Sequence, residues 1–410
     1  MMKQKAETAL YEKNGQADIR KKRIGIYLER HPDSGGAYQY CLAMLKSLAS
    51  LPKERYEIVA FIMYEEWRPI TEGVGLRTIY AQKNKIEKVV YHLAELSLPV
   101  AVCRRLCRFL HPFARALQSE RIEACIYPCA DKISFMMDTP AVVSVFDLMH
   151  RYLTEFPEIS APEIYKSRER SYTNIARYAR MIFVDSGVGR QQMIECYGEQ
   201  AEDLHEKVYP LPFIAPDYVY ESVGKPSYPK PNVFETYIFY PAQFWKHKNH
   251  GRLLEAIALL KDEGIYVNLV CSGTGKNGYE DVCEKIQVLG LEEQVMILGY
   301  VTNEEMVALY QHARALVMPT FGGPTNIPQL EAFVLGCPVA TSRIFGIPEQ
   351  VGDAALLFDP ADVNEIADCV KRLWQDDALC ERLICAGHER EAHWGERQFA
   401  ERLRKCLEEL

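Results

Sequence analysis

Residues 314–360 read RALVMPTFGGPTNIPQLEAFVLGCPVATSRIFGIPEQVGDAALLFDP. The run from Ala315 to Met318 is apolar and closed by Pro319. It is too short for a helix and fits a parallel strand buried on both faces. A loop of Gly, Pro, Thr and Asn follows, Gly322 to Asn326, and then a helical segment from Pro328 to Leu335. Gly336 stands where a helix stops, with Pro338 just beyond. Pro328 belongs in a first turn, where its missing N–H leaves no bond unmade, so the helix starts near residues 325–327. Strand, polar loop and helix N-terminus together form an anion site, because the first-turn amides lack partners and the helix dipole favours negative charge there. Glu331 lies one turn in. A carboxylate there can accept two hydrogen bonds from a vicinal diol such as a ribose, beside a phosphate held by the turn. The alternative is an acid that merely complements the dipole on a solvated face.

The chain around this stretch repeats the strand–loop–helix pattern. Upstream, a strand at Thr236 to Tyr240 runs into the loop Pro241-Ala242-Gln243-Phe244-Trp245-Lys246-His247-Lys248-Asn249-His250, with a helix from Gly251 to Lys261. The strand Tyr266 to Ser272 is followed by Gly273-Thr274-Gly275-Lys276-Asn277-Gly278, which spells G-x-G-x-x-G. A dehydrogenase would need an acid after the next strand to read a ribose, but Val295 to Leu298 ends in Gly299-Tyr300. Six prolines between Pro210 and Pro231 mark a linker, residues 216–233. In the N-terminal half, the strand Ile24 to Leu28 leads through Gly35-Gly36 into an amphipathic helix, Tyr38 to Leu51. Further strands are Tyr56 to Met63, Ala124 to Tyr127, Ala141 to Phe146 and Met181 to Val184. The strand at 141–146 ends in Asp147-Leu148-Met149-His150, where an open α/β sheet places its ligands. Asp185-Ser186 reads as a helix cap.

At 410 residues, 48% of them hydrophobic, the chain has material for two to three domains. Net charge of −8 argues against a general nucleic-acid partner. Thirteen cysteines without a C-x-x-C pair, no secretory leader and no long apolar span lead to the expectation of a reducing cytoplasm. Residues 82–121 carry eight basic against three acidic side chains, with Leu106, Phe109, Leu110, Phe113 and Leu117 spaced as an apolar stripe. That segment is a candidate peripheral contact with the inner face of an anionic membrane, or else it packs its stripe into the core.

The run Gly323-Pro324-Thr325-Asn326-Ile327-Pro328-Gln329-Leu330-Glu331-Ala332, then Gly336-Cys337-Pro338-Val339, resembles the nucleotide-sugar signature of the GT4-type (group 1) retaining glycosyltransferases. Its usual form there is E-G-F-G-L-P-x-x-E-A followed by G-x-P-V. The second Glu maps onto Glu331, implying ribose contact, while the slot of the first holds Gly323. The resemblance implies an α/β chain of the GT-B fold, with two Rossmann-like domains facing across a cleft. The expected division is a tail at 1–21, an acceptor-side domain at 22–215 and the linker. A nucleotide-sugar domain at 234–392 follows, with a final helix, 393–410, crossing back to the first domain. It also implies donor contacts from Gly35, Gly36, Gln243, Gly273, Gly275, Thr325, Asn326, Ile327 and Glu331. Catalytic roles fall to Lys248, the match to the family's phosphate-binding Lys, and to Asp147 and His150, from an H-D-L-x-H element whose first His is Phe146 here. Gln243 occupies the slot of a phosphate-binding Arg, leaving Lys246 as a substitute. Gly346-Ile347-Pro348-Glu349 resembles the family's G-x-P-E turn, Glu349 reading as a helix-start acid. No D-x-D stands where a metal-binding transferase needs it, so no metal or other cofactor is expected. The implied activity is retaining transfer of a sugar from a nucleoside-diphosphate sugar to a hydroxyl of a glycan or lipid-linked acceptor, mannose being one candidate. A nucleotide-sugar 2-epimerase and a non-catalytic nucleotide-sugar-binding subunit are the alternatives.

Overall fold

Short apolar runs form the strands, and the central ones are buried along their whole length, as parallel sheets covered by helices on both faces require. The computed structural model describes residues 21–81, 98–225, 228–229 and 232–410. Its first sheet contains β1 (Lys22–Leu28), β2 (Tyr56–Ile62), β3 (Arg77–Tyr80), β4 (Ala124–Tyr127), β5 (Ala141–Ser144), β6 (Met181–Val184) and β7 (Val208–Pro210). These lie in the order 3-2-1-4-5-6-7, all parallel. The second contains β8 (Ile238–Pro241), β9 (Leu269–Ser272), β10 (Val295–Ile297), β11 (Ala315–Met318), β12 (Val339–Ser342) and β13 (Ala355–Phe358). Its order is 10-9-8-11-12-13, again all parallel.

The winding direction reverses between β1 and β4 in one sheet and between β8 and β11 in the other. At such points the loops leaving adjacent strands diverge and open a crevice, where doubly wound sheets bind ligands. The loops at 29–35, 128–132, 241–249 and 319–326 are therefore the ones placed for chemistry.

The helices that matter for the site are α1 (Gly36–Ala49), α2 (Val100–Leu110), α3 (Pro162–Tyr178), α4 (Gly187–Tyr197), α5 (Ile327–Leu335) and α6 (Glu396–Glu408). Helix α5 carries Pro328 in its first turn and ends on Gly336 in the left-handed region, φ 69°. Phe399, Leu403 and Leu407 of α6 share a core with Met44 and Leu48 of α1, so the C-terminal helix returns to the first sheet.

Four differences from the sequence reading have physical causes. The proline-rich stretch is not bare linker. Val208–Pro210 pairs with β6 as an edge strand, where a proline's missing donor costs nothing, and Asp217–Tyr220 forms a helical turn that buries Val219 against the second sheet. Helix α1 starts at Gly36 rather than Tyr38. Strands β3 and β13 are short and were not anticipated. The apolar stripe of 82–121 splits where Pro112 opens a new helix. Phe113 and Leu117 enter the core, while Phe109 and Leu110 stand 68% and 51% exposed on α2. Lys83, Lys85 and Lys88, like the expected tail, lie outside the described residues. No described helix is long and apolar enough to cross a membrane.

Candidate active site

The turn at Gly35-Gly36 faces the start of α5. Gly35 holds φ 58°, a value glycine adopts without steric cost, and a Cβ added at Gly36 would meet Ile327 Cδ1 at 3.2 Å. Between them lies a cavity of about 260 Å³ lined by Gly36, Tyr40, Asp147, Thr325, Asn326 and Ile327, among others. Candidate donor residues from both halves of the chain therefore converge on one cleft. At its α5 wall the Ile327 amide finds no acceptor among the described residues. The Asn326 amide, by contrast, donates to Gln350 Oε1 at 3.0 Å.

Lys248 enters from the loop after β8, and that loop is tightly held. Asn249 adopts a left-handed φ of 61° and its amide group donates to the carbonyls of Pro319 and Pro360, both at 2.8 Å. The Tyr240 hydroxyl donates to the Lys248 carbonyl at 2.7 Å. Among the described residues no carboxylate comes within ion-pair reach of the Lys248 ammonium. Burial pushes its pKa down to about 8, with the nearby charge of Asp147 partly opposing the shift. Asp147 stands at the end of the first sheet's β5 loop. Its Oδ1 accepts from the Met149 amide at 3.0 Å and from Arg168 Nη1, on α3, at 2.7 Å. Its Oδ2 accepts nothing among the described residues.

Several sequence-derived assignments change. His150 is fully buried, with Nε2 2.7 Å from Glu169 Oε1, in a cluster that also binds Arg151 and Tyr197; it stands behind the cleft rather than in it. Desolvation keeps that imidazole below its usual pKa. Glu331 is 7% exposed, and its two oxygens accept the hydroxyls of Tyr218 at 2.5 Å and Tyr310 at 2.7 Å. Burial raises its pKa against the pull of those donors, and each oxygen already accepts one tyrosine hydroxyl. Gly273, φ 143°, is required by the chain itself: a Cβ there would lie 2.4 Å from the Ala242 carbonyl oxygen. Gly275 abuts the Tyr279 ring in the same way, at 3.3 Å. Gln243 is exposed and accepts from Trp245 Nε1, and Lys246 pairs outward with Asp281 at 2.9 Å, so Lys246 does not replace the missing arginine.

The two halves are joined by contacts the sequence did not reveal. Ser186 caps α4, accepting from the Gly189 amide at 2.9 Å, but Asp185 instead accepts the Thr325 hydroxyl across the cleft at 2.7 Å. Burial pushes the Asp185 pKa up to about 7. Glu349 does not serve its own short helix; its carboxylate accepts the Gly187 amide at 3.0 Å, at the N-terminus of α4. Phe345, in the left-handed region at φ 45°, packs edge-on against Tyr152. These pairs are more than a hundred residues apart in sequence, and no local pattern announces them. Among the described residues no group of three His, Cys, Asp or Glu side chains is placed to hold a metal ion.

Residues 228–390 match the family described as glycosyl transferases group 1. The chain is 32% identical over 253 residues to O-antigen chain mannosyltransferase B of Escherichia coli, covering 58% of this chain and 65% of that protein. It is 32% identical over 169 residues to D-inositol 3-phosphate glycosyltransferase of Corynebacterium jeikeium, covering 38% of this chain and 40% of that one. The matches thus span less than two thirds of these relatives' lengths. Among solved structures, Anabaena HepE in complex with UDP and glucose superposes with a TM-score of 0.68 at 15% identity, over 95% of this chain and 100% of that one. Sucrose-phosphate synthase from Thermosynechococcus elongatus gives 0.67 at 16% identity, over 95% and 99%. At such identities the likeness establishes the fold: two Rossmann-like domains in the GT-B arrangement.

Proposed function

We infer that this chain, whose residues 228–390 belong to the group 1 glycosyltransferases, is a retaining glycosyltransferase that moves a hexose from a nucleoside-diphosphate sugar to an acceptor hydroxyl. One observation carries the reading. A half-buried ammonium, Lys248, has no ion-pair partner among the described residues and lies close enough to Asp147, from the other sheet, to feel its charge; Asp147 in turn lines the cleft together with Ile327 of α5, whose amide is unbonded. Cationic and N–H donors held in place around a crevice suit a diphosphate.

The chemistry follows from charge. As the bond from C1 to the diphosphate oxygen breaks, negative charge grows on the leaving group and the sugar becomes oxocarbenium-like. Fixed donors aimed at the growing charge lower the barrier, since they need not reorganise during the step. Lys248 supplies the full charge, and the Ile327 amide supplies an oriented dipole. Thr325 and Asn326 shape the loop but spend their polar groups on Asp185, Gln350 and the Gly323 carbonyl. Asp147 lines the cavity between the two halves, where it would hold a hydroxyl of the donor sugar or of the acceptor. Retention follows from the family rather than from a nucleophile in the site.

The relatives named mannosyltransferases favour a mannosyl donor and a glycan acceptor. We also assign the exposed Phe109, Leu110 and Val102 of α2, beside Arg105 and Arg108, to contact with an anionic membrane surface. Sedimentation with anionic and neutral vesicles tests it: binding to both or neither contradicts the assignment. Incubation with radiolabelled nucleotide sugars, with and without glycan acceptors, tests the activity. Label passing to acceptor supports transfer. A changed donor without acceptor would mean epimerisation, and binding alone a non-catalytic subunit.

A further inference from the structure

The segment between Met149 and Ser160 leaves the first sheet and crosses to the second half of the chain. Phe156 packs against Phe321 at 5.8 Å and against the His247 ring at 6.2 Å. Next to this apolar contact, the Glu158 side chain is only 5% exposed, and its carboxylate is saturated by donors from the opposite half. Oε1 accepts from the His247 amide at 3.1 Å and from His247 Nδ1 at 2.9 Å; Oε2 accepts from Asn277 Nδ2 at 2.9 Å. Asn277 Oδ1 in turn accepts the Lys246 amide at 3.2 Å. One carboxylate thus ties together the loop that carries Lys248 and the glycine-rich loop at 273–278.

Resting on the transferase reading above, we propose that Glu158 is a positioning residue. It fixes the Lys248 loop in its working geometry only when the two halves are closed on each other, and so makes the phosphate clamp depend on cleft closure. The bonds are suited to this. A carboxylate accepting three N–H donors is a charge-assisted contact, roughly twice as strong as a neutral one. Because His247 immediately precedes Lys248, a displacement of its amide moves the lysine backbone directly. Desolvation and the adjacent Lys248 charge hold His247 neutral, down to about 4, so the ring donates one Nδ1–H and places no second cation beside the ammonium. The buried segment and the hydrogen-bond pairs come from opposite halves, so an opened cleft breaks all three bonds at once.

Glu158→Gln preserves size while removing the charge and turning one acceptor into a donor that faces Asn277. In the full chain we expect kcat to fall at least tenfold, the donor KM to change by less than threefold and Tm to stay near the parent value. Adding His247→Gln to Glu158→Gln is expected to cost no more than either change alone, since both break one link. Hydrogen exchange provides a readout independent of turnover: amides in 241–250 and 273–278 exchange at least tenfold faster in Glu158→Gln. Unchanged exchange in those segments, additive losses in the double variant, or a loss confined to KM would overturn the proposal. If the parent chain transfers no sugar, the transferase reading fails, while the exchange result still decides whether Glu158 holds the loops.

Discussion

Replacing Lys248 with Ala removes a full charge proposed to meet the diphosphate. With its pKa held at about 8, the ammonium is roughly nine-tenths protonated at pH 7. A unit charge pair 4 Å apart at an effective dielectric of 20 is worth about 4 kcal/mol, and about 1.5–3 kcal/mol survives exchange with water. Lys248→Ala should therefore lower kcat/KM for the donor about 10- to 100-fold. The pH profile sharpens the test. A lysine whose pKa is depressed to about 8 is charged below that pH and neutral above it. Donor kcat/KM, which reports the free enzyme, should then fall about tenfold per pH unit above ~8. Lys248→Arg, whose guanidinium keeps its proton, should move that basic limb beyond about pH 10. Initial rates measured from pH 6 to 10 on folded variants supply both readouts. Activity within threefold of the parent in Lys248→Ala, or an unshifted limb in Lys248→Arg, would refute the assignment.

Glu331→Ala should act on stability first: the Tyr218 hydroxyl loses its acceptor and Tyr310 keeps only the Pro328 carbonyl at 3.3 Å, costing roughly 2–4 kcal/mol by denaturant melt. Loss of nucleotide affinity by calorimetry, with stability unchanged, would restore the acid to the ribose. Asp185 takes its proton more readily folded than unfolded, its pKa rising from 3.8 to about 7. The resulting stabilisation is complete below pH ~4 and lost as pH climbs through ~7, so Asp185→Asn should flatten the Tm decline over that window. An equally steep decline would count against the buried carboxyl. Gly273→Ala meets the Ala242 carbonyl with an unfavourable φ and should cost at least about 2 kcal/mol; a neutral result in the same melt would remove the close-approach argument.

The strand at 315–318 and its helix were legible because their signals are local: an apolar run, Pro328 in the first turn and Gly336 at the end. The place of Lys248 in a loop after a strand was legible in the same way, while its phosphate role came from the family resemblance and is proposed above. What escaped is non-local. Glu331 sits at the expected position on its helix, but Tyr218 and Tyr310, 113 and 21 residues away, decide where its oxygens go. His150 follows the strand end as expected, yet a single helical turn rotates it inward onto Glu169. The glycines at 273 and 275 suggested a ligand, whereas their close neighbours are the chain's own Ala242 and Tyr279. The contacts of Asp185, Glu349 and Glu158 all cross between halves, and a sequence read one segment at a time contains no trace of them.

The most direct measurement is a crystal structure of this chain with a bound nucleoside diphosphate. The diphosphate oxygens are expected within hydrogen-bond distance, about 2.7–3.2 Å, of Lys248 Nζ and of the Ile327 amide, with Asp147 across the cleft. A diphosphate seated elsewhere, with Lys248 still unpaired, would contradict the assignment.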